Sequence, residues 1–455
     1  MQLSRQRLLQ ETLRRYLRRQ AWGHLDRLIQ KSRVEDLAAV LEGFNDKDRQ
    51  TVFERLPDPA ARANLIVYMK PPFGKRVLDP LPPAQAAAIL AEMASDDRAD
   101  ILADLEESQR EQVLAVLDRE SKDEVEDLMS YADDTAGGIM LPEFVALPSE
   151  TTAEEALIAL RERSDDVEMA NYIYVINDDQ QLVGVLSLRK LVTAPPQRRI
   201  RDVMESDVIT VTPDTDQEHV ARLVSDYGLL AIPVVDEQQK LLGIVTVDDV
   251  IGVLEEEAHE DLLKMAGAGS PVTESEGFLP HVKNRFPWLL ASCVGGIASA
   301  LVMGAFESTL EAHHFFALFL PIILGMSGNV GTQSATVTVR GLALGQIAVG
   351  DRTLTTLRRE VLIGLTLGLV YALIVGLIAA LMGEEPLDGL AIGLSMALGM
   401  TFASTIGTVV PLVLARLNVD PAVATGPFVT TSLDLLGVAI YFGVSIPIAL
   451  ATAGP

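Results

Sequence analysis

The last apolar segment, residues 425–451, places the strongest constraint on what this chain can fold into. It reads TGPFVTTSLDLLGVAIYFGVSIPIALA and holds a single charged side chain, Asp434. A helix needs about 20 apolar residues to cross the hydrocarbon core of a bilayer. A charge at that depth costs about 2.5–3.5 kcal/mol on insertion scales and usually faces a helix bundle or a water-filled path. The segment therefore predicts a membrane domain organised around Asp434.

Four more apolar segments precede it, at residues 286–306, 315–339, 359–382 and 387–415. Acidic loops follow the first and third, and basic loops follow the second and fourth. Because basic loops stay on the cytoplasmic side, the N-terminal half should be cytoplasmic and the C-terminus outside. We expect a multi-pass protein of the plasma membrane, which in a bacterium is the inner membrane, with five transmembrane helices per chain.

The part before the membrane segments is strongly acidic. The chain has a net charge of −26, and beyond Arg285 it has no lysine and only five arginines, so the acidic surplus lies in residues 1–285. Nucleic acid is not expected as a partner, because phosphate binding needs a basic face. Divalent cations are the natural partner, although acidic surfaces also serve solubility. The single Cys293 excludes a cysteine metal cluster, and no nucleophile–base pair or phosphate loop indicates an enzyme.

Residues 25–130 contain short helical patterns of about a dozen residues each, such as VEDLAAVLEGF and REQVLAVLDRE. This spacing predicts a superhelical stack of helices, and we assign residues 1–132 to an acidic α-helical domain. Asp96, Asp97 and Asp100 cluster at one helix start. Capping and dipole compensation account for one or two acids there.

Two stretches within residues 137–262 repeat each other: NYIYVINDDQQLVGVLSLRKLV and LLAIPVVDEQQKLLGIVTVDDVI, with Gly184 aligned to Gly243. Each predicts strand, turn, strand and helix. The pair resembles tandem CBS domains, at residues 133–200 and 201–255, in an α/β fold. In that family a Gly-x-x-Ser/Thr-x-x-Asp motif places its Asp on a nucleotide ribose. The second repeat keeps Asp249, whereas Lys190 replaces the Asp in the first, so ATP is a possible but doubtful ligand.

An acidic connecting helix follows, which we assign to residues 256–285. Together with the end of the second repeat it reads VDDVIGVLEEEAHEDLLKMAG. Like charges spaced three or four residues apart destabilise a helix by a few tenths of a kcal/mol per pair. The run is either a solvated face or a helix whose repulsion is relieved by divalent cations on oxygen ligands.

The membrane segments, residues 286–455, are rich in glycine, serine and threonine, which lets helices approach closely. Asn329 and Gln333 within GMSGNVGTQ further suggest an irregular turn that lines a polar cavity. One carboxylate cannot hold a metal ion closely, but two copies in a symmetric dimer can face a shared axis. Hydrated Mg²⁺ suits a site of carboxylate and hydroxyls such as Asp434 with Thr430. A proton relay is the alternative role for Asp434.

The order of these parts resembles the MgtE family of magnesium channels, over nearly the whole chain. The matching motifs are YADDTAG at 131–137, FESTLE at 306–311, GNVGTQSAT at 328–336 and the run from Asp420 to Asp434. The resemblance implies a homodimer in the lipid bilayer that takes up Mg²⁺ through a pore at Asp434, Thr430 and Gly426. Cytoplasmic Mg²⁺ would close it at regulatory ligands: Asp96, Asp100, Gly138, Asp249, Glu257, Glu260, Asp261 and Asp420.

Three glycines depart from the family's pattern. Gly228 and Gly252 stand where the resemblance leads us to expect aspartates, so one regulatory cation site is missing or weaker. Gly426 stands where a polar residue is expected near the ion. Two other functions stay open: a proton-coupled carrier or exporter of Mg²⁺, Co²⁺ or Mn²⁺, and a membrane-tethered sensor without transport. Asn329 and Asp434 argue against the sensor, because a membrane anchor needs neither.

Overall fold

The computed structural model describes residues 2–162, 171–268, 278–307, 314–347, 353–382, 386–417, 419–424 and 426–452. The chain divides into two compact units, Met1–Glu255 and Glu256–Pro455. The first contains short helices and two small sheets, and the second contains long apolar helices. The predicted combination of a helical N-terminal domain, an α/β repeat pair and a five-helix membrane domain is confirmed.

The first unit begins with ten helices of 8 to 17 residues each. Helices two apart in sequence pack on each other, α1 on α3 and α4 on α6 for example, so that odd and even helices form two rows. This is the predicted superhelical stack. The helices are Gln2–Arg18 (α1), Trp22–Lys31 (α2), Val34–Glu42 (α3), Asp46–Phe53 (α4), Pro59–Val67 (α5), Pro71–Leu78 (α6), Pro83–Leu90 (α7), Ser95–Asp104 (α8), Glu107–Leu114 (α9) and Arg119–Leu128 (α10).

Two buried arginines hold successive turns of this stack together. Arg49 donates to the carbonyl groups of Leu41, at 3.1 Å, and Phe44, at 2.6 Å. Arg98 repeats the arrangement with Leu90, at 2.9 Å, and Met93, at 2.8 Å. In each case the guanidinium donates to carbonyl groups at and just beyond the C-terminus of the preceding helix, where regular intrahelical partners end.

The repeat pair forms two small sheets. In the first, β1 is parallel to β2 and β2 is antiparallel to β3; in the second, β4 is antiparallel to β5. The elements are Ala146–Pro148 (β1), Ala153–Glu162 (α11), Tyr172–Ile176 (β2), Leu182–Ser187 (β3), Leu188–Thr193 (α12), Gln217–Tyr227 (α13), Ala231–Val235 (β4), Leu241–Thr246 (β5) and Val247–Met265 (α14), with a 3-10 turn at Ile200–Asp202.

The two repeats exchange short segments. A segment that precedes β1 bonds to β5 of the second repeat, and a segment that precedes α13 bonds to β3 of the first repeat. The amide of Leu141 donates to Ile244 on β5 at 2.7 Å. In the first repeat, the amide of Glu205 donates to Val185 on β3 at 2.9 Å. Gly243 lies under this crossing, because a Cβ there would sit 2.9 Å from the carbonyl oxygen of Leu141. The aligned Gly184 lies against Glu205 and its neighbour in the same way, which explains the glycine shared by both repeats.

The second unit contains, among the residues described, five helices long and apolar enough to cross a membrane. They are Phe278–Gly304 (α15), His314–Ala343 (α16), Thr353–Met382 (α17), Pro386–Arg416 (α18) and Pro427–Thr452 (α19), with a 3-10 turn at Pro421–Ala424. Small residues form the contact of α17 with α18: a Cβ on Gly368 would lie 2.8 Å from the carbonyl oxygen of Ala397. The glycine-rich composition therefore serves close helix packing, as predicted.

The irregular turn predicted at GMSGNVGTQ is wrong. Helix α16 runs without interruption from His314 to Ala343, through the whole motif. Gly331 is buried where the side chain of Leu433 on α19 packs, and a Cβ there would collide with it. The motif needs its small residue for a helix crossing rather than for a break in the helix.

Candidate functional site

The predicted pore residues form a stripe along the start of α19. Gly426, Thr430 and Asp434 are spaced four residues apart, which places them on one side of the chain as it enters and follows the helix. The hydroxyl of Thr430 donates to the carbonyl of Gly426 at 3.2 Å. Thr430 is exposed and Asp434 is half-buried in a single chain. The stripe offers a carboxylate, a hydroxyl and a carbonyl, all of them oxygen groups suited to a hydrated cation.

Asp434 makes no ion pair or hydrogen bond with the residues that the structure describes. Its neighbour Leu433 is 4% exposed and packs with Ala335 of α16 and Ala403 of α18. This contact fixes the rotation of α19 and so fixes the direction in which the carboxylate lies. An acid held in a membrane helix without a counter-ion is available to a passing cation.

Asn329 and Gln333 do not lie on the side of α16 that meets α19. Both are exposed, and each is two residues from the buried Gly331, which corresponds to a rotation of about 200° on an ideal helix. The structure therefore does not bring them to Asp434 within one chain. Their predicted role in lining the pore therefore requires a second copy of the chain beside this side of α16.

A second cluster of acids lies in the first unit, where α8 approaches the first turn of α14. Burial raises the pKa of Asp96 to about 9, and the charges of Asp97 and Asp249 act in the same direction. Desolvation by surrounding atoms also raises the pKa of Asp100 to about 7, with further contributions from Asp97 and Asp133. The structure thus brings Asp96 and Asp100 together with Asp249, which lies about 150 residues further along the sequence.

Asp249 has a structural role as well as a charge. The hydroxyl of Thr246 donates to its carboxylate across the start of α14. Burial raises the pKa of Asp249, while that hydrogen bond works in the opposite direction. Gly138 lies beside the same cluster, since a Cβ on it would approach the Cα of Asp133 to 2.9 Å. Carboxylates with raised pKa values hold protons where a divalent cation could instead neutralise them.

The acids of the connecting helix are organised by a lysine that the sequence analysis did not single out. Nζ of Lys264 lies 2.9 Å from Glu260 and 2.7 Å from Oδ2 of Asp420. The amide of Ala422 donates to the other oxygen of Asp420 at 2.8 Å. Burial lowers the pKa of Lys264, but its bonds to Asp420 and Glu260 outweigh this and raise it overall. Glu257 and Asp261 are half-buried and have contacts of their own.

Across the described residues, no three histidine, cysteine, aspartate or glutamate side chains are close enough to form a preformed metal site. Gly228, one of the glycines that depart from the expected pattern, ends α13 with a φ of +63°. Glycine adopts this left-handed conformation at least cost. Helix capping is therefore a local reason for glycine at that position.

The first repeat carries an ion pair where the nucleotide motif would have its aspartate. Nζ of Lys190 lies 2.5 Å from Oε1 of Glu205, and the amide of Lys190 donates to Ser187 at 3.3 Å. Ser187 therefore caps α12, whereas the corresponding hydroxyl of Thr246 in the second repeat donates to the side chain of Asp249. Lys190 is the third residue of α12, and its charge is opposite to that of Asp249, the third residue of α14.

Comparisons with known proteins cover all these parts. A family model described as a divalent cation transporter matches residues 320–444. The MgtE intracellular N domain matches 32–134, and CBS domains match 136–196 and 200–256. The magnesium transporter MgtE of Bacillus subtilis is 33% identical over 92% of this chain and 95% of its own length. That of Thermus thermophilus is 39% identical over 71% of this chain and 72% of its own length.

Two solved structures match the first unit. The cytosolic domain of the Mg²⁺ channel MgtE in complex with ATP has a TM-score of 0.52 and 38% identity, covering 54% of this chain and 99% of its own. The soluble part of a magnesium transporter has a TM-score of 0.51 and 34% identity, covering 56% of this chain and 99% of its own. With family matches from the first helices to the last, the chain belongs to the MgtE family of magnesium transporters.

Proposed function

We propose that the protein is a Mg²⁺-selective channel that takes up Mg²⁺ across the plasma membrane and is closed by Mg²⁺ on the cytoplasmic side. The unpaired carboxylate of Asp434 carries this proposal. It lies on a stripe of oxygen groups at the start of a membrane helix, with no cation among the described residues to neutralise it. Such a site suits an ion that keeps part of its water shell, as Mg²⁺ does.

A homodimer supplies what one chain lacks. Asn329 and Gln333 are exposed on a helix that the sequence assigns to the membrane, where amide side chains facing lipid are costly. A second copy related by a twofold axis would cover them. It would also place two Asp434 carboxylates opposite each other, each chain giving one ligand to a shared path.

Closure by Mg²⁺ follows from the acids of both units. Asp96, Asp100 and Asp249 repel one another when ionised, and their raised pKa values report that repulsion together with burial. Glu257, Glu260, Asp261 and Asp420 add negative charge in the second unit. Bound Mg²⁺ would stabilise the conformation in which the acids are close, which is a population shift by differential affinity. The acids would lie in the cytoplasm, and the C-terminus outside.

The proton-coupled carrier is the rival function, because Asp434 could carry a proton instead. Reconstituted liposomes with an internal Mg²⁺-sensitive dye distinguish the two. A channel passes Mg²⁺ down its gradient whether or not a pH gradient exists, and a proton-coupled carrier loses its flux when an ionophore collapses that gradient. We expect no dependence on the pH gradient. Loss of flux with the ionophore would replace the channel proposal by the carrier.

The first repeat of this chain lacks the acidic residue of the nucleotide motif. The structural relative was solved with ATP, but here Lys190 is paired with Glu205 at the position where the CBS motif carries its ribose-binding aspartate. A lysine cannot accept hydrogen bonds from ribose hydroxyls. We infer that this chain binds ATP weakly at the first repeat, with Mg²⁺ as its principal regulator.

A further inference from the structure

Three buried polar residues meet inside the second unit, one from each of α16, α17 and α18. They are Ser334, Glu360 and Ser404, with exposed fractions of 4%, 8% and 0%. Glu360 lies seven residues into α17, directly after the exposed Arg358 and Arg359. Its position beside two arginines makes it look like the edge of a loop in the sequence. In the structure its side chain lies within the helix bundle.

The three side chains form a closed set of contacts. Oγ of Ser334 is 3.0 Å from Oε2 of Glu360 and 3.0 Å from Oγ of Ser404. Oγ of Ser404 is in turn 2.7 Å from the backbone carbonyl oxygen of Glu360. All three distances are in the hydrogen-bonding range for oxygen pairs. All three bonds can therefore form together only if three hydrogens are present.

The two serines supply only two of these hydrogens, because a hydroxyl group has one and the backbone carbonyl has none. The third has to come from the carboxyl group. A protonated Glu360 would donate to Ser334, which would leave the Ser334 hydroxyl to donate to Ser404 and the Ser404 hydroxyl to donate to the Glu360 carbonyl. With an ionised carboxylate, one of the three short oxygen contacts would join two lone pairs.

The lack of a positively charged partner in the described part of the chain also favours the neutral form of Glu360. Among the described residues, no lysine or arginine lies within ion-pair distance of Glu360. The charged residues of the helices that pack on α17 are at their ends: Arg340 on α16, and Asp388 and Arg416 on α18. A buried carboxylate without a partner would be strongly unfavourable, whereas a hydrogen-bonded neutral acid is tolerated.

We propose that Glu360 is held as a neutral carboxylic acid and acts as a positioning residue for Asp434, by joining α16 to α18. Ala335 and Ala403, the residues directly after Ser334 and before Ser404, form the contact that receives Leu433. Leu433 precedes Asp434 on α19. The hydrogen bonds around Glu360 therefore position Ala335 and Ala403, the two residues against which α19 packs beside Asp434. The neutral state does not depend on the proposed channel function, but the positioning role rests on Asp434 lining the ion path.

Infrared difference spectroscopy of the full-length protein tests the protonation state. The wild-type protein should show the carbonyl stretch of a protonated carboxylic acid, shifted by exchange into D₂O, and Glu360→Gln should remove it. Glu307→Gln, at an exposed glutamate, is the matched control and should leave the band unchanged. Absence of a band that depends on Glu360 at neutral pH would overturn the neutral state.

Liposome Mg²⁺ flux tests the positioning role. Glutamine has an amide that can donate to Ser334, so Glu360→Gln should keep flux within about twofold of wild type, while Glu360→Ala and Glu360→Asp should lose several-fold. A Glu360→Gln variant that folds but is as impaired as Glu360→Ala would overturn the proposal. Wild-type flux in Glu360→Ala would overturn it equally. If Glu360→Ala does not fold, the comparison of Glu360→Gln with Ser334→Ala decides in its place, with flux retained in the first and reduced in the second.

Discussion

The ammonium group of Lys264 lies 2.7 Å from Oδ2 of Asp420 and so ties the end of α14 to the turn that leads into α19. The same ammonium is 2.9 Å from Glu260, one helical turn earlier. Two carboxylates that the family resemblance assigns to Mg²⁺ are therefore already neutralised in part by a side chain. The lysine supplies the positive charge that a bound cation would otherwise provide to Glu260 and Asp420.

Replacing Lys264 should change the Mg²⁺ dependence of closure. In Lys264→Gln, Glu260 and Asp420 face each other without a positive charge, so more cytoplasmic Mg²⁺ is needed to hold them together. The partly exposed pair contributes about 1 kcal/mol, which corresponds to a shift of about fivefold in the closing Mg²⁺ concentration. Patch recordings with varied internal Mg²⁺ measure this shift. Lys264→Arg, which keeps the charge, should remain close to wild type, and an unchanged closing concentration in Lys264→Gln would exclude the role.

Removal of the carboxylate from the proposed ion path should stop transport. Asp434→Asn keeps the shape of the side chain but removes the charge that attracts a divalent cation, so Mg²⁺ flux into liposomes should fall by at least about 100-fold. Asp388→Asn is the matched control, because Asp388 lies in the first turn of α18, at the other end of the bundle by the predicted topology. Flux that persists in a folded Asp434→Asn protein would remove Asp434 from the path.

The acidic cluster of the first unit predicts a stability that falls as the pH rises. Burial raises the pKa of Asp96 from 3.8 to about 9, so between these values the folded protein holds a proton that the unfolded chain releases. The folded state is therefore favoured at the low end of this window, and its advantage is lost as the pH rises towards 9. Without Mg²⁺, the melting temperature of the first unit should be several degrees lower at pH 8 than at pH 6.

Mg²⁺ and Asp96→Asn should each remove that pH dependence. Mg²⁺ competes with protons for the same carboxylates, so millimolar Mg²⁺ should raise the melting temperature more at pH 8 than at pH 6. Asp96→Asn imitates the protonated acid and should stabilise the Mg²⁺-free protein at pH 8. Scanning fluorimetry of the full-length protein measures both effects, and equal Mg²⁺ stabilisation at the two pH values would contradict the competition.

Restoring an aspartate at position 190 should strengthen ATP binding. In the double variant Lys190→Asp with Glu205→Gln, the new carboxylate does not face the charge of Glu205 and can accept hydrogen bonds from ribose hydroxyls. A charge-assisted hydrogen bond contributes about 1.5–3 kcal/mol, so the affinity for ATP should rise by about tenfold or more. Lys240→Asp, at an exposed lysine of the second repeat, is the control. Titration with a fluorescent ATP analogue measures the change, and equal affinities in all three proteins would place ATP elsewhere.

Cysteine cross-linking tests the dimer face. Cys293 is the chain's single cysteine and is exposed, so it is first replaced by serine. In that background, Asn329→Cys should form disulfide-linked dimers in native membranes under mild oxidation, because the proposed axis runs past this face. Leu373→Cys, on an exposed part of α17, should stay monomeric on a denaturing gel. Cross-linking at position 373 and none at 329 would assign the contact to another helix.

The parts that depend on local pattern could be predicted from the sequence. The alignment of Gly184 with Gly243 predicted the paired α/β domains. Both positions need glycine because a Cβ there would collide with the segment that crosses the sheet. The five apolar segments became five long helices, although α15 begins at Phe278, eight residues before its predicted start. Asp434 stood out because it is a lone charge in an apolar run.

Features created by tertiary contact could not be predicted. The ion pair of Lys264 with Asp420 could not be predicted, because it joins residues 156 positions apart in sequence. Glu360 follows Arg358 and Arg359 directly, a pattern typical of a loop boundary, so its burial could not be predicted from sequence. The glycines of GMSGNVGTQ favoured a break in the helix, and only the packing of Leu433 on Gly331 shows why the helix continues.

The exchange of segments between the two repeats limits how this protein can be dissected. A fragment that ends between the repeats would leave Val185 without its backbone bridge to Glu205, and a fragment that starts there would leave Ile244 without its bridge to Leu141. Either piece would expose an unsatisfied sheet edge and tend to aggregate through it. Limited digestion should consequently release the two repeats joined as a single resistant core, and expression of either one alone should yield insoluble material.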